Sequence, residues 1–308
     1  MNRLFAVPSS PRLVTPALLV AVVAISFAAI FFRLAAPTHP LVAAGLRLAV
    51  AAAILSPWTV RALHSRRLPA KTIRLAVLAG LLYGVHFGAW VASLNLTTIA
   101  ASVTLVTTNP LILAAIGTLT GRDRPHRRLW FALVLAVIGL LLIGGADWRL
   151  GSRALLGDAL ALLGALAMSG YLLVGRSLGE RLDVWSFSGI ATAVGAIVLL
   201  GSAGTLGIAP LAASWRAFGF LVLAAILPQL VGHTLLTWSL RHAQPSVVAM
   251  AVVGEPVGAT FLGWLLLGES VTGFIAAGCF LTLAAVLAAI VQTKRPGRSA
   301  PSEPFSLR

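Results

Sequence analysis

Long apolar runs separated by short polar connections set the pattern of this chain. Ten such runs can be drawn: 14–34, 39–57, 74–95, 99–119, 129–146, 157–178, 185–205, 217–240, 246–267 and 272–291. Each is close to the ~20 residues a helix needs to cross the hydrocarbon core of a bilayer. The runs are continuous rather than alternating, which excludes the strands of a membrane barrel. The pattern predicts an all-α integral membrane protein of about ten transmembrane helices. Arg3 and Arg12 precede the first run as they would in a signal peptide. That run is longer than a usual signal core and further spans follow it, so it is expected to be the first transmembrane helix.

The pattern repeats. Shifting the chain by 146 residues lays Asn109-Pro110 over Glu255-Pro256, Asp123 over Glu269, and Ser93-Leu94 over Ser239-Leu240. The same register puts Ala132 and Gly139 over Gly278 and Ala285. Two repeats of five helices are therefore expected, over residues 1–150 and 151–293, with a disordered cytoplasmic tail at 294–308. Five spans per copy is an odd number, so the second copy must enter the membrane inverted. Transporters are built this way, with the substrate site near the midplane between the repeats.

Composition agrees with the pattern. Only 10% of the 308 residues are charged, 59% are hydrophobic, and the mean hydropathy is +0.97. A soluble domain carries about a quarter charged residues. The net charge of +15 would suit nucleic acid, but it sits in short loops beside apolar spans. A bilayer is the partner that distribution fits, and nucleic acid is not. With the N-terminus inside, the inner connections hold Arg61, Arg66, Arg67, Lys71, Arg74, Arg122, Arg124, Arg127, Arg128, Arg176, Arg181 and Arg241. The outer ones hold only Arg33, Arg149, Arg153 and Arg216. This asymmetry predicts both termini in the cytoplasm. The single cysteine, Cys279, excludes a disulfide within the chain.

Candidate chemistry is concentrated at membrane depth. Glu255 lies about nine residues into its span, roughly 14 Å deep, with Asn109 at the equivalent depth. A lone charge there costs on the order of 3 kcal/mol. Pro256 and Pro110 each remove a helical donor and are expected to break their helices. Glu255 is then either a cation or proton site or a neutral hinge bonded to its own backbone. Arg47 lies too deep in the second span to snorkel, and either neutralises Glu255 or grips an anionic group. His86 and His233 are placed to relay protons or to pack as hydrogen-bonded histidines. Trp90 and Trp238, with Tyr83, Tyr171 and Phe261, offer aromatic surface to a flat molecule or to neighbouring helices. Trp58, Trp130, Trp148, Trp185 and Trp215 fall at span ends as interfacial anchors. Gly84/Gly88, Gly117/Gly121 and Gly254/Gly258 are candidates for close helix contacts. No metal site or cofactor is expected. Motifs for nucleotide hydrolysis, zinc proteolysis and serine hydrolysis are missing, so an enzyme is not expected and any work must draw on a gradient.

The runs Ala251 to Pro256 and Gly263 to Glu269, with Gly278 in the last span, resemble the C-terminal signature of EamA-type carriers of the drug/metabolite transporter superfamily. Arg47, Asn109-Pro110 and Gly121 to Pro125 resemble the same pattern in the first half. Arg122-Asp123 stands where the family has Gly-Glu; Asp123 and Glu269 are expected to be structural. The resemblance implies a ten-helix carrier of a bacterial-type inner membrane, exporting amino acids, related metabolites or toxic compounds around a central cavity. Its partners would be a small-molecule substrate, protons and lipid, and it would act as a monomer or homodimer. The alternatives are a passive channel, a membrane enzyme, or a partner subunit.

Overall fold

Apolar spans become helices wherever the computed structural model describes the chain: residues 13–65, 68–97, 99–121, 127–144, 151–243, 245–268 and 270–291. Asp123, Glu269, Trp148 and the tail from 294 lie outside the described residues. In chain order the helices are α1 (Val14–Ser26), α2 (Ala28–Leu34), α3 (Pro40–Ser65), α4 (Ala70–Ser93), α5 (Ile99–Val106), α6 (Asn109–Thr120) and α7 (Arg127–Gly144). There follow α8 (Gly151–Leu178), α9 (Val184–Thr205), α10 (Trp215–Ala224), a π-helical segment (Ala225–His233) and α11 (Thr234–Ser239). The last are α12 (Pro245–Val252), α13 (Glu255–Leu267) and α14 (Gly273–Val291). Among the described residues, eight helical stretches are long and apolar enough to cross a membrane, and α7 and α14 contribute two shorter apolar stretches.

Several helices outrun the apolar runs that announce them. α3 continues through Pro57 to Ser65. A proline there removes the donor for the carbonyl of Ala53. The neighbouring Ser56 Oγ donates to that carbonyl at 2.8 Å, which lets the helix pass. α5 and α6 are instead separated at Thr107 and Thr108, whose hydroxyls bond back to Val103, Thr104 and Leu105 carbonyls. α12 and α13 are separated at Val253 and Gly254, which have no hydroxyl to do the same. Pro110 and Pro256 then occupy the first turn of the following helix, where no donor is needed. α6 and α13 both end on a left-handed glycine, Gly121 at φ 67° and Gly268 at φ 70°.

The bundle is apolar outside and polar within. Val20, Val23, Phe131, Ile197, Phe261 and Phe280 point outward, while Arg47, Asn109, Thr192, Gln229 and Thr237 are buried. That is the distribution expected when lipid is the solvent. α3 packs along α9, α4 against α8 and α9, α7 against α14, and α1 against the π-helical segment. The α4–α9 contact is set by glycine: a Cβ on Gly84 would lie 3.3 Å from Gly195 Cα, and one on Gly88 would lie 2.7 Å from Leu199 Cδ2. α13 meets α1 in the same way, Gly254 against Val22 and Gly258 against Ser26. Gly195→Leu, which forces a side chain between α4 and Leu48, is expected to destabilise the bundle by about 1–3 kcal/mol, read as a lower melting temperature in detergent.

Candidate functional site

A buried guanidinium lies at the centre of the bundle. Arg47, on α3, is fully enclosed. Its Nη2 donates to Gln229 Oε1 at 3.0 Å, and Gln229 Nε2 donates to the Tyr83 hydroxyl at 2.8 Å. The two bonds fix the orientation of the amide, oxygen toward the cation and nitrogen toward the phenol. Phe87 presents its ring face 4.2 Å from the guanidinium carbon and Phe32 does so at 5.5 Å. These rings stabilise the cation while keeping its surroundings apolar. Nε and Nη1 of Arg47 have no hydrogen-bond partner among the described residues.

Gln229 reaches this position because α10 gives way to the π-helical segment, which carries Pro228 and puts Gln229 and His233 on the inner face. Such π segments are frequent at functional sites, where they re-aim side chains that a regular helix would bury elsewhere. From Tyr83 the polar chain continues by ring stacking to Tyr171 at 4.3 Å. Tyr171 lies 3.1 Å from Thr237 Oγ1. Thr237 gives its own proton to the His233 carbonyl at 2.8 Å, so the phenol is the donor to Thr237. One network thus joins α3, α4, α8, the π-helical segment and α11.

The histidines border it differently. His86 Nδ1 donates to the Gly164 carbonyl at 2.9 Å, tying α4 to α8, and its ring lies nearly parallel to Tyr83 and Trp90. His233 packs edge-on to Tyr83 and Phe87, and its Nδ1 has no hydrogen-bond partner. Trp90 crosses Phe32 edge to face, its buried Nε1 unpartnered. Trp238 is placed elsewhere, its ring against His242 at 4.3 Å. Phe261 faces outward, as do Trp130 and Trp215, while Trp58 and Trp185 pack on each other.

Glu255 opens α13 with 8% of its surface exposed and makes no hydrogen bond among the described residues. The Arg47 charge acts on it, yet the two groups form no ion pair within 4.0 Å. Asn109 opens α6 at the matching place, with Oδ1 buried and unpartnered. The structure therefore gathers Arg47, His86, Trp90 and His233 round Phe87, and sets Glu255 within electrostatic reach. Among the described residues no hydrogen bond or ring contact joins Asn109 or Trp238 to that cluster. No group of three or more His, Cys, Asp or Glu able to hold a metal ion occurs among the described residues.

Residues 14–145 and 155–291 match the EamA-like transporter family. The chain belongs to that family. Two relatives carry transporter names. An uncharacterized transporter of Archaeoglobus fulgidus is 25% identical over 219 residues, 70% of this chain and 74% of that protein. The uncharacterized transporter YoaV of Bacillus subtilis is 25% identical over 248 residues, 79% of this chain and 84% of that protein. A solved structure described only as a protein crystal structure shares the fold, at TM-score 0.71 and 17% identity. It aligns over 93% of this chain and all of the other. The protein is thus a multi-pass membrane transporter.

Three members of this candidate site in the EamA-family chain escape a reading of charge and hydropathy: Gln229, Thr237 and Phe87. An uncharged amide or hydroxyl in a long apolar run looks like tolerated polarity. One signal was available for Gln229, because it stands 146 residues after Tyr83, in the repeat register.

Proposed function

We propose that this transporter is a gradient-driven carrier with alternating access, built from two inverted five-helix repeats and exporting small organic metabolites. Amino acids, related metabolites and toxic organic compounds are its cargo classes. The observation that carries this reading is the Gln229–Tyr83 hydrogen bond, made between positions 146 residues apart. Phe87 and His233, in ring contact at 5.4 Å, are separated by the same interval. Corresponding positions of two copies touch each other only on the axis that relates them. The helix bounds support the same register, with α7, α12 and the start of α13 each reproducing an earlier or later element at that offset. Packing is reciprocal too: α5 lies against α13 and α6 against α12.

In this reading helices α7 and α14 complete ten spans, the basic connections keep both termini in the cytoplasm, and the membrane is a bacterial-type inner membrane. The polar network lies on the pseudo-two-fold axis, where rocking of one half against the other exchanges partners. Glu255 offers the coupling-ion site and Arg47 the fixed countercharge. Reconstituted protein is expected to show saturable counterflow of a radiolabelled metabolite drawn from an amino-acid and aromatic-acid panel. Flux that rises linearly with concentration, without counterflow, would support a passive channel instead.

A further inference from the structure

We propose that Arg47 anchors an anion subsite for a carboxylate of the cargo, and that each carboxylate bound there is accompanied by a proton on Glu255. This rests on the carrier reading and narrows its cargo and its driving force: carboxylate and proton move together, so export runs down the cargo's own gradient. The guanidinium is wholly buried, yet among the described residues only Nη2 has a protein acceptor, while Nε and Nη1 have none. A buried donor left unpaired is costly, and more so on a charged group. Gln229 supplies an acceptor but no negative charge, and the Phe32 and Phe87 rings supply neither a full charge nor a hydrogen-bond acceptor. Glu255 is the carboxylate whose charge acts on Arg47, and it stands off without contact. A guanidinium with open N–H groups between aromatic walls is a recognition site for a planar monoanion.

Charge counting at membrane depth then ties the cargo to a proton. With no cargo, Arg47 and Glu255 cancel. A cargo carboxylate against Arg47 would leave two negative groups about one positive group, a net charge that the hydrocarbon core penalises by several kcal/mol. A proton on Glu255 restores neutrality. A doubly charged phosphate would need a second proton, which favours a carboxylate. The other groups around Glu255 do not supply this compensation. α1 presents Val22 and Ser26 beside Gly254 and Gly258. α2 carries Arg33, which is exposed in its last turn, and α14 carries the half-buried Cys279. α5 carries no titratable residue. His86 and His233 pack their rings on Tyr83 and Phe87.

Benzoate, phenyl phosphate and benzylamine are suitable probes, titrated calorimetrically into purified protein at neutral and alkaline pH in buffers of different ionisation enthalpy. Benzoate is expected to bind with uptake of about one proton wherever Glu255 starts ionised. Its affinity should fall by up to about tenfold per pH unit on the alkaline side. Glu255→Gln should bind benzoate more tightly with no proton uptake and no pH dependence, and Arg47→Gln should lose at least tenfold in affinity. Phenyl phosphate binding with two protons would make phosphate the cargo group and overturn the carboxylate assignment. Benzoate binding by wild type without proton uptake at any pH would overturn the linkage, whether or not Arg47→Gln folds. Counterflow of benzylamine but not benzoate would overturn the anion subsite and leave the carrier reading standing. Absence of counterflow for every solute would remove the carrier reading itself.

Discussion

Glu255→Gln is expected to lower gradient-driven transport by on the order of tenfold or more, the size of a 1.4 kcal/mol or larger change in barrier. The substitution keeps the volume and the start of α13 and removes only the ability to hold a charge. Pro256 still occupies the first turn and Gly254 and Gly258 still meet α1, so insertion and the start of α13 should hold, while the uncompensated Arg47 charge should lower the melting temperature of the empty carrier. What disappears is the group that balances Arg47 in the empty carrier. Counterflow, which needs no net proton movement, should survive better than uphill transport, and its pH dependence should flatten. Wild-type uphill transport by Glu255→Gln at every pH would remove Glu255 from the mechanism. Asn109→Asp makes the contrast. It adds a carboxylate at the start of α6, where Asn109 is buried, and should lower stability by about 3 kcal/mol without transferring the coupling role.

The contrast between Asn109 and Glu255 also measures how much the chain announces about itself. Hydropathy alone places the spans, because a bilayer imposes length and continuity on every crossing. Proline marks α6 and α13, since each sits where its missing donor does no harm. Pro57 shows the limit of that rule: the Ser56 hydroxyl caps the carbonyl it frees, and α3 runs on. Buried charge is legible for the same reason that it is costly, so Arg47 and Glu255 stand out from any reading of the sequence. Their relation does not. The sequence leaves open whether Arg47 neutralises Glu255 or grips an anionic group, and the structure gives the guanidinium Gln229 as its acceptor. Neutral partners of a charge leave no trace in composition, and a π-helical segment leaves none in periodicity beyond Pro228. Trp238 illustrates the converse: buried and aromatic, it serves His242 at the end of α11 rather than the central network.

Gln229 is the position where these effects can be separated. Gln229→Leu removes the acceptor of Arg47 and the donor to Tyr83 together, leaving a buried cation with no protein hydrogen bond. It is expected to destabilise the protein by about 3 kcal/mol, read as a lower melting temperature in detergent. Gln229→Glu should do the opposite. A carboxylate oxygen would stand where Oε1 now lies, 3.0 Å from Arg47 Nη2, and the Tyr83 hydroxyl can turn to donate to the second oxygen. Arg47 then gains a charge-assisted bond while a proton on Glu255 keeps the site neutral, so the melting temperature should be kept or raised. A cargo carboxylate would meet a site already balanced, and benzoate affinity should fall by on the order of a hundredfold, the equivalent of about 2.7 kcal/mol. A structural role for Arg47 predicts no such split, because a variant that strengthens the network would then transport at least as well as wild type. Stability retained with binding lost is the signature of a charge held in the membrane for its ligand.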